Sequence, residues 1–248
     1  MKKIFYFILA ALMVFSGVTI QAQTLDEILA KHFETIGQDK LLKVQSIIVK
    51  GKLIQTQGNV EIPIIMYAKR PNKTRMEGTF QGLTFISAYN GEIGWHLNPF
   101  AGDTLPQQST DEELDQLKDQ ADMNGMLYNY KEKGFTLELT GTDDLDGQKV
   151  YLLKLTKPNG NIYTNYMDAE NYVILKTAAK IKVKGVVQEA ETSFSNYKPV
   201  DGIIEPFNIE NKVAGTLASQ IILDSFDFNK DIDDSIFEMS SVSKPVKK

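Results

Sequence analysis

Imidazole is the side chain that titrates near neutral pH without perturbation, so the two histidines are the first candidates for chemistry. His32 and His96 are far apart in the chain, and neither has a carboxylate at metal-ligand spacing. His32 continues the apolar stripe of a helix and reads as a packed or lid-edge residue; His96 stands beside Trp95 on a strand. No G-x-S-x-G nucleophile motif and no Gly-rich phosphate loop occurs. The absence of cysteine removes disulfides and thiolate metal sites. Carboxylates cluster as Asp143, Asp144, Asp146 and as Asp231, Asp233, Asp234. The first cluster lacks the twelve-position calcium pattern and its terminal bidentate Glu, so it reads as a hairpin turn with solvated acids.

What is left is two arginines and an apolar inventory. Arg70 and Arg75 stand in "AKRPNKTRMEG", at the end of an apolar strand, where guanidiniums can take a carboxylate or carbonyls at the rim of a cavity. Met123 and Met126 offer a surface that re-packs around varied apolar partners, with ordinary core filling as the plain alternative. These residues point to binding rather than catalysis. No catalytic residue, metal or cofactor is expected.

The elements that must position them alternate in period. "TLDEILAKHFETIG" carries a Thr24/Glu27 capping box and a C-terminal Gly37, with Leu25, Ile28, Leu29, Phe33 and Ile36 on one stripe. From Val44 the period becomes two. Val60, Ile62, Ile64, Met66 and Ala68 form one strand face, and Ile47, Val49 and Leu53 give the preceding strand a matching one. Further strands follow, with "TQGN" and a type I′ turn at Asn90-Gly91 as hairpins. Alternation lapses over "NPFAGDTLPQQS". A helical segment then opens at Ser109/Glu112 or Thr110/Glu113, with a stripe of Leu114, Leu117 and Ala121 that shifts to Met123, Met126, Leu127 and Tyr130. Asn124-Gly125 at the shift predicts a kink or two short helices. The rest alternates again to the C-terminus, with turns too short for anything but antiparallel neighbours. In "YKPVDGIIEPF", Asp201-Gly202 predicts the turn and Pro206 an edge or bulge.

About eleven or twelve strands in one meander must curl, split or close. The expected fold is mainly β: a curled, unclosed antiparallel barrel with an N-terminal helix and a central helical lid over an apolar cavity. Residues 1–22 read as a signal peptide, with Lys2 and Lys3 before "IFYFILAALMVF" and cleavage after Ala22. Residues 23–248 then form a single domain. The net charge of −5 grows more negative once that leader is lost, which does not suit nucleic acid.

"MYAKRPNKTRME" followed by "YNGEIGWHLNPF" resembles the LolA family of periplasmic lipoprotein carriers. The matching residues are Lys69-Arg70-Pro71-Asn72, Asn90-Gly91, Trp95 and Asn98-Pro99-Phe100, and "DIDDSIFEM" resembles the family's closing segment. "YMDAENYVILK" and "YKPVDGIIEPF" look more like the larger outer-membrane lipoprotein-sorting relatives of Bacteroidota. The resemblance implies a periplasmic monomer that takes acylated lipoprotein, or another lipid, from an inner-membrane donor to an outer-membrane acceptor. It implies a cavity and lid lined by Val49, Ile62, Ile64, Met66, Trp95, Leu117, Met123, Met126 and Leu127, with Arg70 holding the lid closed. Arg75 has no counterpart, and the chain is longer than the short carriers. A lipid-binding sensor or scaffold is the rival reading, and an envelope hydrolase a weaker one for want of a nucleophile and base. Asp103-Thr104-Leu105 and Asp234-Ser235-Ile236 fit a short pattern that is O-glycosylated in some envelope proteins.

Overall fold

The computed structural model describes residues 23–183 and 185–239. The expected signal peptide lies outside them.

Helix α1 (Leu25–Ile36) begins at the expected capping box, with Thr24 accepting from the Glu27 amide and Glu27 reaching back. It ends on Gly37 at φ 73°. A Cβ at Gly37 would sit 2.3 Å from the Gly202 carbonyl oxygen, so glycine is required for both the left-handed turn and the close approach. A short α2 (Gln38–Leu41) follows. Five strands come next: β1 (Ser46–Gln55), β2 (Val60–Lys69), β3 (Lys73–Phe80), β4 (Leu83–Tyr89) and β5 (Gly94–Leu97). The two-residue β6 (Gln107–Gln108) leads into α3 (Asp111–Ala121). Seven more strands complete the chain: β7 (Thr136–Leu145), β8 (Gln148–Thr156), β9 (Ile162–Asp168), β10 (Ile174–Val183), β11 (Val186–Val200), β12 (Ile203–Val213) and β13 (Thr216–Phe228).

All pairings are antiparallel, in the order β6-β5-β4-β3-β2-β1-β13-β12-β11-β10-β9-β8-β7. The chain runs outward from β1 to one edge, crosses through α3, and returns from the other edge until β13 docks on β1. Edges β6 and β7 do not meet, so the sheet curls without closing. Three details depart from expectation. The sheet has thirteen strands because β6 forms inside the segment where alternation lapses; a two-residue bridge has no period to read. The Asn90-Gly91 turn is a four-residue loop rather than type I′: Gly91 has positive φ but Asn90 does not, and the Asn90 side chain accepts from the Glu92 and Ile93 amides. Type I′ geometry occurs instead at Gln81-Gly82, Asp146-Gly147, Asp201-Gly202 and Ala214-Gly215, where both central residues have positive φ. The central helix, capped by Thr110/Glu113, stops at Ala121, and residues 122–134 continue as turns rather than as a second helix.

Register separates two faces. α1 and α3 lie on one, the concave face. Ile28 and Leu29 of α1 pack with Leu127, Leu137, Leu153, Leu155 and Met167, filling the half of the curl formed by β7–β9. Residues 230–239 cross the opposite, convex face as a strap. Ser46 Oγ donates to the Lys230 carbonyl, Lys69 and Lys73 hold Asp234 at 2.7 and 3.0 Å, and Trp95 Nε1 donates to the Phe237 carbonyl at 2.8 Å. Trp95 and Phe237 are fully buried there; burial of side chains this size is worth roughly 1.5–3 kcal/mol each or more.

Candidate functional site

The other half of the concave face, β1–β4 with β12 and β13, has no helix packed into its centre. Its floor is assembled by cross-strand pairs: Val49 with Met66 and Phe226, Leu53 with Ile62 and Ile221, Ile209 with Ile221. Gly78 pairs with Ile64 and Phe85, and a Cβ there would come within 2.7 Å of the Phe85 ring, so the missing side chain lets that ring lie across the floor. Val49, Leu53, Ile62, Ile64, Phe207 and Leu223 are buried, while Met66, Phe80, Phe85, Ile209, Ile221 and Phe226 remain partly exposed. The floor is thus an apolar surface that the fold leaves partly exposed to water.

Charge divides along the same line. On the convex side the strands carry Lys50, Lys52, Glu61, Lys69, Lys73, Glu77, Lys176, Lys180, Glu189, Glu191, Glu210 and Lys212 at alternate positions. On the concave side of β1–β4 and β9–β13 the register places two charged side chains, Lys198 and Glu205. Glu205 lies between buried Ile203 and Phe207, and burial pushes its carboxyl up to about 7. The same burial and the nearby Glu205 raise the Tyr197 phenol, whose hydroxyl donates to the Ile174 carbonyl.

α3 bridges the two ends of the curl. Its Leu114, Leu117 and Ala121 pack on Tyr89 of β4. Its polar side meets Lys157 in the β8–β9 turn: the buried ammonium binds Asp115 at 2.7 Å and Asp119 at 2.9 Å. Burial raises the Asp119 carboxyl despite the opposing hydrogen bond from Lys157. A cleft of about 580 Å³ beside this latch is lined in part by Asp111, Asp115, Asn159 and Lys182, and does not reach the apolar floor.

Arg70 forms a second tie. Its Nε donates to the Val44 carbonyl at 2.6 Å, and Nη2 donates to the Leu41 carbonyl at 3.0 Å and to Asn124 Oδ1 at 2.8 Å. Gln38 Nε2 donates to the Asn124 carbonyl at 3.2 Å. One guanidinium thus links the end of β2, the end of α2 and the turn that follows α3.

The residues expected to line one cavity divide. Val49, Ile62, Ile64 and Met66 meet on the floor. Leu117 lies under α3, Met123 packs with Val44 and Ile203, and Met126 and Leu127 pack against α1. Trp95 is on the other face, beneath the strap, because its register partner Ala88 and neighbours Ile86 and Leu97 face that way. Arg75 is also convex, bound to Glu77 at 2.5 Å and to the Ile236 carbonyl at 2.6 Å, so it holds the strap and is not a cavity-rim residue. His32 is buried with Nδ1 donating to the Tyr172 carbonyl at 2.7 Å, and burial lowers its pKa, keeping it neutral. Half-buried His96 lies 3.8 Å from Asp103 and 3.9 Å from Glu113. Among the described residues no cluster of three or more His, Asp or Glu could hold a metal, and no helix is long and apolar enough to cross a membrane. Thr104 and Ser235 are exposed. The Lys157 latch and Glu205 carry no motif and emerge only from the fold.

The architecture is a curled open sheet with an amphipathic split, largely apolar on the concave side and charged on the convex one. The sequence matches no family model and no curated protein. Its structure is similar to that of a LolA superfamily protein from Nitrosomonas europaea, with a TM-score of 0.58 at 16% identity over 88% of this chain and 98% of that one. It is also similar to a DUF1329 family protein from Desulfovibrio piger (TM-score 0.57, 15% identity, 87% and 98%). A domain from Vibrio parahaemolyticus ascribed to outer membrane lipoprotein sorting gives a TM-score of 0.57 at 13% identity over 85% and 98%. The chain has the LolA-like fold.

Proposed function

We propose that this protein is a non-enzymatic periplasmic carrier, which takes acyl chains of lipoproteins, or of another envelope lipid, on its concave floor and moves them toward the outer membrane. The observation that carries this is the split of the sheet: a partly exposed apolar floor on the side that α1 and α3 overhang, and charge on the other. The likeness in fold to a LolA superfamily protein, and to a domain ascribed to lipoprotein sorting, is consistent with it. Residues 1–22 would serve as the signal peptide and 23–248 as one monomeric carrier domain. A donor at the inner membrane and an acceptor at the outer membrane would complete the route.

The mechanism is physical. Each methylene taken from water contributes about 0.8 kcal/mol, so several long chains cannot cross the periplasm bare. A floor of comparable apolarity holds them. Release needs an acceptor surface that competes and a closure, here Arg70 and α3, that opens at modest cost. The experiment is native mass spectrometry of the protein purified from its own periplasm. Acylated peptide bound to it supports lipoprotein carriage, and free lipid supports another lipid cargo. A ligand-free protein with a wetted floor overturns both.

A further inference from the structure

Lys198 on β11 and Glu205 on β12 are direct cross-strand partners. Opposite charges so placed usually meet. Here they do not. The Lys198 ammonium lies over the Phe207 ring, 4.5 Å from its centroid, and Lys198 is exposed. Glu205 has no hydrogen-bond or ion-pair partner among the described residues. Tyr197, next to Lys198 on β11, donates its hydroxyl hydrogen bond to the Ile174 carbonyl instead.

The sheet opens beside this pair. β12 pairs with β13 only as far as Asn208 and Ile222, whereas β13 stays on β1 down to Phe228 and Ile47. Pro206 lies just beyond the last pair, and it lacks the amide hydrogen a further rung would use. Phe207, Leu223 and Phe226 occupy the fork, with the two rings 5.3 Å apart. The apolar floor therefore runs without interruption to the two charges. An unpaired carboxylate at the end of an apolar surface is costly, and a cation delivered by a ligand removes the cost.

We propose that Lys198 and Glu205 bind the head of a zwitterionic lipid, Lys198 taking its phosphate and Glu205 its primary ammonium, with the acyl chains lying on the floor. This rests on the floor being an acyl-chain site. The spacing suits it: from Glu205 to Ile209 is about 13 Å along β12 at ~3.3 Å per residue, so chains leaving the head reach Phe207, Ile209 and Ile221.

The test uses lipid-free protein incubated with vesicles of equal parts dipalmitoyl phosphatidylethanolamine, dipalmitoyl phosphatidylglycerol and dipalmitoylglycerol, with bound lipid read by native mass spectrometry. Wild type is expected to favour the ethanolamine lipid over the glycerol phospholipid by about tenfold. Glu205→Gln should erase that preference and leave dipalmitoylglycerol uptake unchanged. Lys198→Met should lower both phospholipids and spare dipalmitoylglycerol. Circular dichroism and melting of each variant check that the fold is kept. Wild type that takes all three lipids alike overturns the proposal, as do variants that keep the wild-type preference. Uptake of dipalmitoylglycerol separates the two levels: head-blind binding defeats this proposal alone, and no binding of any lipid defeats the acyl-chain reading with it.

Discussion

Arg70 and Glu205 show how one residue's surroundings decide its task. Arg70 serves three acceptors on separate segments, so Arg70→Leu should leave the sheet intact and loosen what those segments close. We expect a stability loss of roughly 2 kcal/mol, since hydrogen bonds to a charged group are worth about 1.5–3 kcal/mol each and the freed carbonyls regain water. Faster amide exchange at residues 38–44 and 122–126, with faster cargo release, is the readout; unchanged exchange would remove Arg70 from lid closure. Glu205 acts through pH. Its carboxyl is raised in the folded state from an ordinary value near 4.5 to about 7. Below the lower value both states are protonated and nothing is lost. Between the two values the unfolded chain ionises first, so rising pH removes stability, by at most about 1.4 kcal/mol per pH unit, with no further loss above the upper value. Glu205→Gln should therefore match wild type near pH 4 and exceed it at pH 8 in urea unfolding. His32 slopes the other way, because its depressed pKa makes stability fall with falling pH, so the difference between variant and wild type isolates Glu205.

At the scale of elements, α3 is held by an apolar side on Tyr89 and a charged side on Lys157. Lys157→Met should release the second, leaving Asp115 and Asp119 together without their cation, at a cost of about 3 kcal/mol to helix docking. Hydrogen exchange should rise across 111–121 and stay unchanged in β1 and β2; equal protection of α3 in the variant would show that the apolar side suffices. The elements themselves were largely written in the sequence. Capping at Thr24 and Thr110, the closing Gly37 and the period-two runs give both long helices and twelve of the strands their places. What alternation does not state is which face turns inward. Trp95 and Val49 are both apolar residues on alternating strands, and only the side to which α1 and α3 return separates them. Lys157, in a plain "KPNG" turn, pairs with acids more than thirty-five residues earlier, a contact no local pattern encodes. Arg75 looks like Arg70's neighbour in sequence, yet its position within β3 sends it to the other face and to the strap.

For the molecule as a whole, the open curl explains the distribution of charge. A closed and filled barrel needs no partly exposed aromatics on its inner face, and a two-sided solvated sheet would mix charge on both. This sheet does neither: alternate residues of the same strand face water and the floor, so adjacent positions should respond oppositely to the same substitution. Ile209 and Asn208 provide that comparison on β12, with Ile209 on the floor beside Ile221 and Asn208 on the convex side, bonded to Ser195 and Gln220. The most direct measurement is lipid retained, by native mass spectrometry, in Ile209→Asp and Asn208→Asp purified from the same periplasm as wild type. A concave acyl-chain site predicts that Ile209→Asp loses its lipid while Asn208→Asp keeps it. Equal retention in both variants would contradict it.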